Sequence, residues 1–145
     1  IFQAAGIPHA YLEGTNVELM ATSDNVLRGG LTSKHIDVDE LLANIRTEAV
    51  IPQPLTGEKA KDGATYFRLP ISDFALARWQ VAPQDWFSIP ALGPAIGLVM
   101  AGALRFAGCT YHRGEAFFLL PGHELRAKSI GDQFLDLFVA HVPGL

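Results

Sequence analysis

From residue 64 onward the sequence is a succession of short apolar runs cut by turn residues, and few folds accommodate that pattern. The runs read TYFRLPI, FALARWQV, AIGLVMAG, EAFFLLPG, ELRAKSI and QFLDLFVAHV. Between them fall Pro83-Gln84-Asp85, Pro90, Gly93-Pro94, Gly108, Gly114, Gly122 and Gly131-Asp132. Strand-length runs without interleaved helices cannot build parallel βαβ units, so the pattern predicts an antiparallel sandwich or barrel. Trp79, Trp86 and most of the nine Phe fall in this half, where core filling is their expected role. Cys109 is expected in a Gly-rich turn beside Gly108.

Residues 1–35 read differently, as short apolar stretches punctuated by glycine. Val17, Leu19 and Ala21 alternate with Asn16, Glu18 and Met20, as in a half-buried strand. One helix follows, over about 37–46: Asp37 is placed to cap VDELLANI, and Glu40 completes a capping-box-like pair. Leu41, Leu42 and Ile45 supply its apolar stripe. Pro52, Pro54, Gly57 and Gly63 mark 50–63 as a connection, which gives segments of 1–49, 50–63 and 64–145. A weak internal echo aligns IFQAAG with FFLLPG, Gly6 with Gly122, and His9 with Leu125.

Composition excludes several classes. With 49% hydrophobic and 18% charged residues the chain is not disordered, and 145 residues can bury a core. No apolar run approaches the roughly 20 residues of a membrane span. The net charge of −4, without a basic block, carries no nucleic-acid footprint. A single cysteine forbids an intrachain disulfide and a cysteine-built zinc site. The opening IFQAAGIPHAYL has neither a leader pattern nor Met, so a piece of something longer is expected. Residues 1–50 hold seven acids against three bases, whereas 51–145 balance to zero. The excess acids either form solvated surface or gather around a cation.

The residues that could carry chemistry lie between His9 and Lys34. A neutral imidazole after a glycine turn suits zinc, though a single packed or surface histidine reads the same way. Glu18 points away from Val17 and Leu19. Aimed into a barrel it would need a metal or a proton to transfer, and otherwise it faces water. In SDNVLRGG, Asp24-Asn25 forms a turn, and Gly29-Gly30 lets the chain bend so that Arg28 presents its planar fork to an oxyanion or a surface acid. One histidine with scattered acids does not complete a catalytic zinc site, which takes three protein ligands.

The run PHAYLEGTNVELMATSDNVLRGGLTSKHIDVDELL resembles the last active-site segment of type I mannose-6-phosphate isomerases, zinc enzymes of the cupin superfamily. The resemblance is dense over residues 1–42, through GIPHAYL, the strand glutamate, SDNVLRGGLT-x-K and the helix. Residues 43–145 fit only as a second, metal-free cupin-like domain. It implies a mostly β, cupin-like antiparallel sandwich or jelly roll with one short helix, and 1–49 as the end of the catalytic cupin. It further implies His9 as a zinc ligand, Tyr11, Asp24 and Lys34 as substrate-binding residues, and Arg28 as the catalytic arginine. Glu18 is the expected proton-transfer carboxylate.

The implied reaction interconverts mannose 6-phosphate and fructose 6-phosphate through an enediol in a cytoplasmic enzyme. The family's other ligands, a Gln, a His and a Glu, come from earlier in its chains and do not precede Ile1 here. The fragment alone is thus expected to be inactive and to hold zinc weakly or not at all. Its expected partners are a sugar phosphate, the N-terminal catalytic half, and a second copy paired through exposed strand edges. The alternative is a stand-alone sugar-binding or structural cupin module.

Overall fold

Alternation of apolar and polar side chains drives the second half of the chain into two antiparallel sheets. The computed structural model describes residues 1–23, 26–90 and 92–143, in two compact units, Ile1–Pro54 and Leu55–Leu145. The described residues of the second unit form β1 (Glu58–Lys59), β2 (Ala64–Phe67), β3 (Ala75–Val81), β4 (Trp86–Ile89) and β5 (Ala95–Ala101). They continue with β6 (Ala103–Phe106), β7 (Cys109–His112), β8 (Ala116–Leu119), β9 (Leu125–Ile130) and β10 (Leu135–His141). One sheet runs β1-β2-β3-β10-β5-β8 and the other β4-β9-β6-β7.

Register decides what each face carries. Leu135 lies opposite Val81, Leu137 opposite Trp79, and Val139 opposite Ala77, all six buried. Ile89, Leu104 and Ala127 of the smaller sheet join them in one cluster. Burying each large aliphatic side chain stabilises the unit by about 1.5–3 kcal/mol. On the opposite face Arg78 forms a two-pronged bond to Asp136, at 2.7 and 2.9 Å, and lies 5.2 Å from the Phe138 ring centre. Gly97 is required in β5 because the Phe117 ring of β8 occupies the space a Cβ would take. This is the cupin-like β-sandwich, with one short helix elsewhere in the chain.

Four details differ from expectation. Trp79 is fully buried, but Trp86 is 60% exposed, because β4 turns Ile89 inward and Trp86 outward. The Arg126 guanidinium lies 5.0 Å from the Trp86 ring centre, so the indole faces a cation rather than the core. Cys109 opens β7 instead of lying in a turn. The two-residue turn is Ala107-Gly108, both at positive φ (47° and 79°), which suits the twist of a hairpin. The four-residue strands β4, β6 and β7 lie outside the expected runs, and within 50–63 the strand β1 pairs with β2.

In Ile1–Pro54 the helix α1 spans Val38–Asn44, capped by Asp37 Oδ1, which accepts the Glu40 N–H at 3.0 Å. Half of the capping box forms: the Glu40 carboxylate receives the Asn44 side chain at 2.9 Å. Leu41 and Ile45 are half-buried, but Leu42 is exposed, so the stripe is narrower than expected. Among the described residues of 1–35 no strand forms. Val17 and Leu19 are half-buried and Asn16, Glu18 and Met20 exposed, but Ala21 is exposed too, so the alternation holds only over residues 16–20. What is missing is a neighbouring ladder, without which a strand has no partner for its peptide groups. The strand edges expected to recruit a second copy are therefore not formed in this segment. The echo survives as geometry only: Gly6 and Gly122 take φ of 79° and 76°, but only Gly122 follows a strand. Among the described residues no helix is long and apolar enough to cross a membrane.

Candidate active site

The segment around His9 is shaped by its neighbours in sequence. Gly6 turns the chain in the left-handed region, and its carbonyl accepts the Arg46 N–H at 2.8 Å just past α1. A Cβ at Gly6 would meet Asn44 O at 3.0 Å and Arg46 Cγ at 3.1 Å, so glycine is needed for both turn and contact. Ile7 precedes Pro8, which disfavours helical backbone and leads the chain out of the turn. His9 is exposed, and its Nδ1 lies 3.2 Å from the Ile7 carbonyl. That bond favours the tautomer with a proton on Nδ1 and leaves Nε2 free as a donor atom for a metal.

Tyr11 packs edge-on against His9, ring centres 5.9 Å apart, and its hydroxyl donates to Glu18 Oε1 at 2.7 Å. The bond to Glu18, with some burial and the carboxylate's charge, raises the Tyr11 phenol above its ordinary value of 10.0. His9, Tyr11 and Glu18 thus form one continuous polar row. Glu18 is exposed in this chain rather than enclosed in a barrel interior.

Arg28 is half-buried, at a loop whose next residue, Gly29, approaches the Leu41 side chain of α1: an added Cβ would lie 3.2 Å from Leu41 Cδ2. Gly30 completes the bend at φ 74°. Lys34 is exposed, and its backbone N–H bonds to Thr32 Oγ1 at 3.2 Å. Among the described residues no side-chain hydrogen bond joins Arg28 or Lys34 to the His9 row. Asp24 lies outside the described residues. The Ile7 carbonyl that orients His9 was not among the expected site groups; the signal for it is the Gly-Ile-Pro-His order.

The chain is similar to known proteins along most of its length. Mannose-6-phosphate isomerase of Cryptococcus neoformans is 33% identical over 154 residues, spanning 97% of this chain and 34% of the relative. Over nearly its whole length, the chain is homologous to mannose-6-phosphate isomerases. The isomerase of Escherichia coli K12 is 49% identical over 86 residues, covering 59% of this chain and 22% of its own. A Salmonella typhimurium mannose 6-phosphate isomerase, solved bound to substrate and to a zinc atom, superposes with a TM-score of 0.64 at 30% identity. That match covers 86% of this chain and 32% of the isomerase structure. The chain therefore spans between about a fifth and a third of the length of these mannose-6-phosphate isomerases. No protein-family model matches the chain.

As a metal site the arrangement is partial. His9 fits a zinc ligand by donor chemistry and by the bond that orients it. Among the described residues no three His, Cys, Asp or Glu side chains converge on a common point.

Proposed function

We propose that this chain is part of an aldose–ketose isomerase that interconverts mannose 6-phosphate and fructose 6-phosphate, contributing His9, Glu18 and Arg28 to its active site. The observation that carries the reading is the polar row from Ile7 O through His9 and Tyr11 to Glu18, in a chain matched over 97% of its length by such an isomerase. The reaction moves a proton between two adjacent sugar carbons through an enediol. It needs a carboxylate to carry the proton, a fixed positive charge near the developing oxyanion, and groups that hold the phosphate and hydroxyls.

His9, together with ligands from outside this chain, would hold a zinc ion, which would supply Lewis-acid polarisation of substrate oxygens. Glu18 accepts and returns the proton, and the Tyr11 hydroxyl fixes which carboxylate oxygen is free to do so. Arg28 provides fixed positive charge, with its loop braced on α1. Tyr11, Asp24 and Lys34 hold the sugar phosphate. The exposed apolar side chains of Ile1–Pro54, Leu12 and Leu31 foremost, support packing of this unit against further parts of the same enzyme.

The test is made in the complete isomerase. Glu18→Gln is expected to keep its zinc and to lose about 100- to 10,000-fold in kcat, whereas His9→Ala loses zinc as well. Near-full turnover in the Glu18→Gln enzyme overturns the assignment of the proton carrier.

A further inference from the structure

The smaller sheet carries, on the face turned away from the core, a second concentration of reactive side chains far in sequence from His9. Trp86 of β4 lies opposite Lys128 of β9, and Lys128 lies opposite Arg105 of β6. The three form one row across three strands, and Arg126 stands two residues before Lys128 on the same face. Together they line an open cleft of about 680 Å³, within the range of small-molecule sites.

Three features separate this cleft from ordinary surface. Leu55–Leu145 is balanced in charge, yet three of its cations gather in the cleft and none of its acids lines it. The ion pairs formed among the described residues are Arg46–Glu48, Arg68–Glu58 and Arg78–Asp136, so the cleft cations belong to none of them. At the β4 end of the row, beside the cations, lies an indole 60% exposed to water, with Arg126 held 5.0 Å from its ring centre. Finally, Gln84 takes positive φ (67°) without being glycine and lines this cleft, whereas the positive φ of Ala107 belongs to the hairpin turn between β6 and β7. Such backbone is costly for residues with a Cβ and is found disproportionately at binding sites. Gln84 is fixed there by its side-chain N–H bond to the Gly131 carbonyl at 2.9 Å.

We propose that this cleft binds a small phosphorylated molecule carrying a ring, with the phosphate on Arg105 and Lys128 and the ring against Trp86. Arginine gives paired donors suited to phosphate, lysine adds a point charge, and the indole offers a face on which a sugar or a base packs. A sugar phosphate and a mononucleotide share this chemistry.

The chain contains its own probe. Trp79 is sealed in the core and Trp86 is exposed, so ligand-dependent tryptophan emission reports on the cleft. The 145-residue chain is titrated with fructose 6-phosphate, with AMP, with inorganic phosphate, and with fructose and adenosine. A saturable change in emission with fructose 6-phosphate or with AMP, weakened about tenfold or more in the Arg105→Gln/Lys128→Gln double variant, supports the site. Which of the two binds more tightly identifies the ligand as sugar phosphate or nucleotide. Calorimetry on Trp86→Phe, whose substitution lies on the outer face, is expected to give weakened but saturable binding.

Four results overturn the proposal: no saturable response to either phosphorylated ligand, equal affinity for fructose or adenosine, unchanged affinity in the double variant, or much tighter binding of a single-stranded oligonucleotide than of AMP. His9→Ala leaves binding here unchanged, so failure of the isomerase reading and failure of this one are told apart.

Discussion

Two residues of the same type occupy opposite environments, and their replacement is expected to separate cleanly. Trp79 is fully enclosed, with its indole N–H lacking a partner, and Trp86 is exposed on the other sheet. Trp79→Ala is expected to cost about 3–5 kcal/mol in urea unfolding, and Trp86→Ala within about 0.5 kcal/mol. His141 makes a pH prediction. Its ring nitrogens are enclosed without a side-chain or backbone partner in hydrogen-bonding geometry, beside the Tyr66 ring. Burial lowers its pKa below the ordinary 6.5, and the Val142 backbone offsets only part of that. The folded state therefore resists protonation more than the unfolded one. The stability this confers is full above pH 6.5 and declines as the pH falls below it. Urea midpoints taken above and below that value should show the decline, and His141→Leu should flatten it. At the candidate site, Glu18→Gln should move the Tyr11 titration down towards 10.0, read by phenolate absorbance. An unmoved Tyr11 titration would remove the hydrogen bond as its cause.

Elements succeed or fail on whether local preference meets a partner. Asp37→Ala removes the side-chain oxygen that caps α1 and is expected to cost about 0.5–2 kcal/mol of helix stability, seen as lost helical circular dichroism. Gly97→Val forces a side chain into the Phe117 ring and is expected to destabilise the sandwich by about 1–3 kcal/mol. The same contrast explains what was legible in the sequence. The six runs became β2, β3, β5, β8, β9 and β10 because each holds a stretch of apolar and β-forming residues bounded by turn residues. β4, β6 and β7 are as long as β2 and β8, but they fall among the turn residues between the runs, and β6 is set apart from β5 only by the glycine corner at Gly102. NVELMA has the periodicity of a strand and, over residues 16–20, its alternate burial, yet pairing is a property of two segments and only one is at hand. At the candidate site, the family resemblance is what singles out His9, Tyr11 and Glu18 as candidates. The bond from His9 to the Ile7 carbonyl is local, with the Gly-Ile-Pro-His order as its signal, whereas the Tyr11–Glu18 link depends on how the intervening chain turns and no spacing rule yields it.

As a whole, the molecule distributes its stability unevenly. Every buried residue among those described lies in Leu55–Leu145, and Ile1–Pro54 has none. Local opening is governed by buried apolar contact, so the first unit should open far more often than the second. Brief trypsin treatment should cut after Arg28, Lys34 and Arg46 well before any site in the strands, and mass spectrometry should find a resistant product containing the sandwich. Early cleavage within β3 or β9 would contradict this. In the larger sheet β10 lies between β3 and β5, although it follows both in the chain. On the ribosome, then, the two strands that flank it are finished first and wait apart with their inner edges unpaired. The sheet can be joined across its middle only once the stretch from Leu135 to His141 has emerged, and until then the nascent chain exposes two open strand edges, the kind prone to pair with a wrong neighbour.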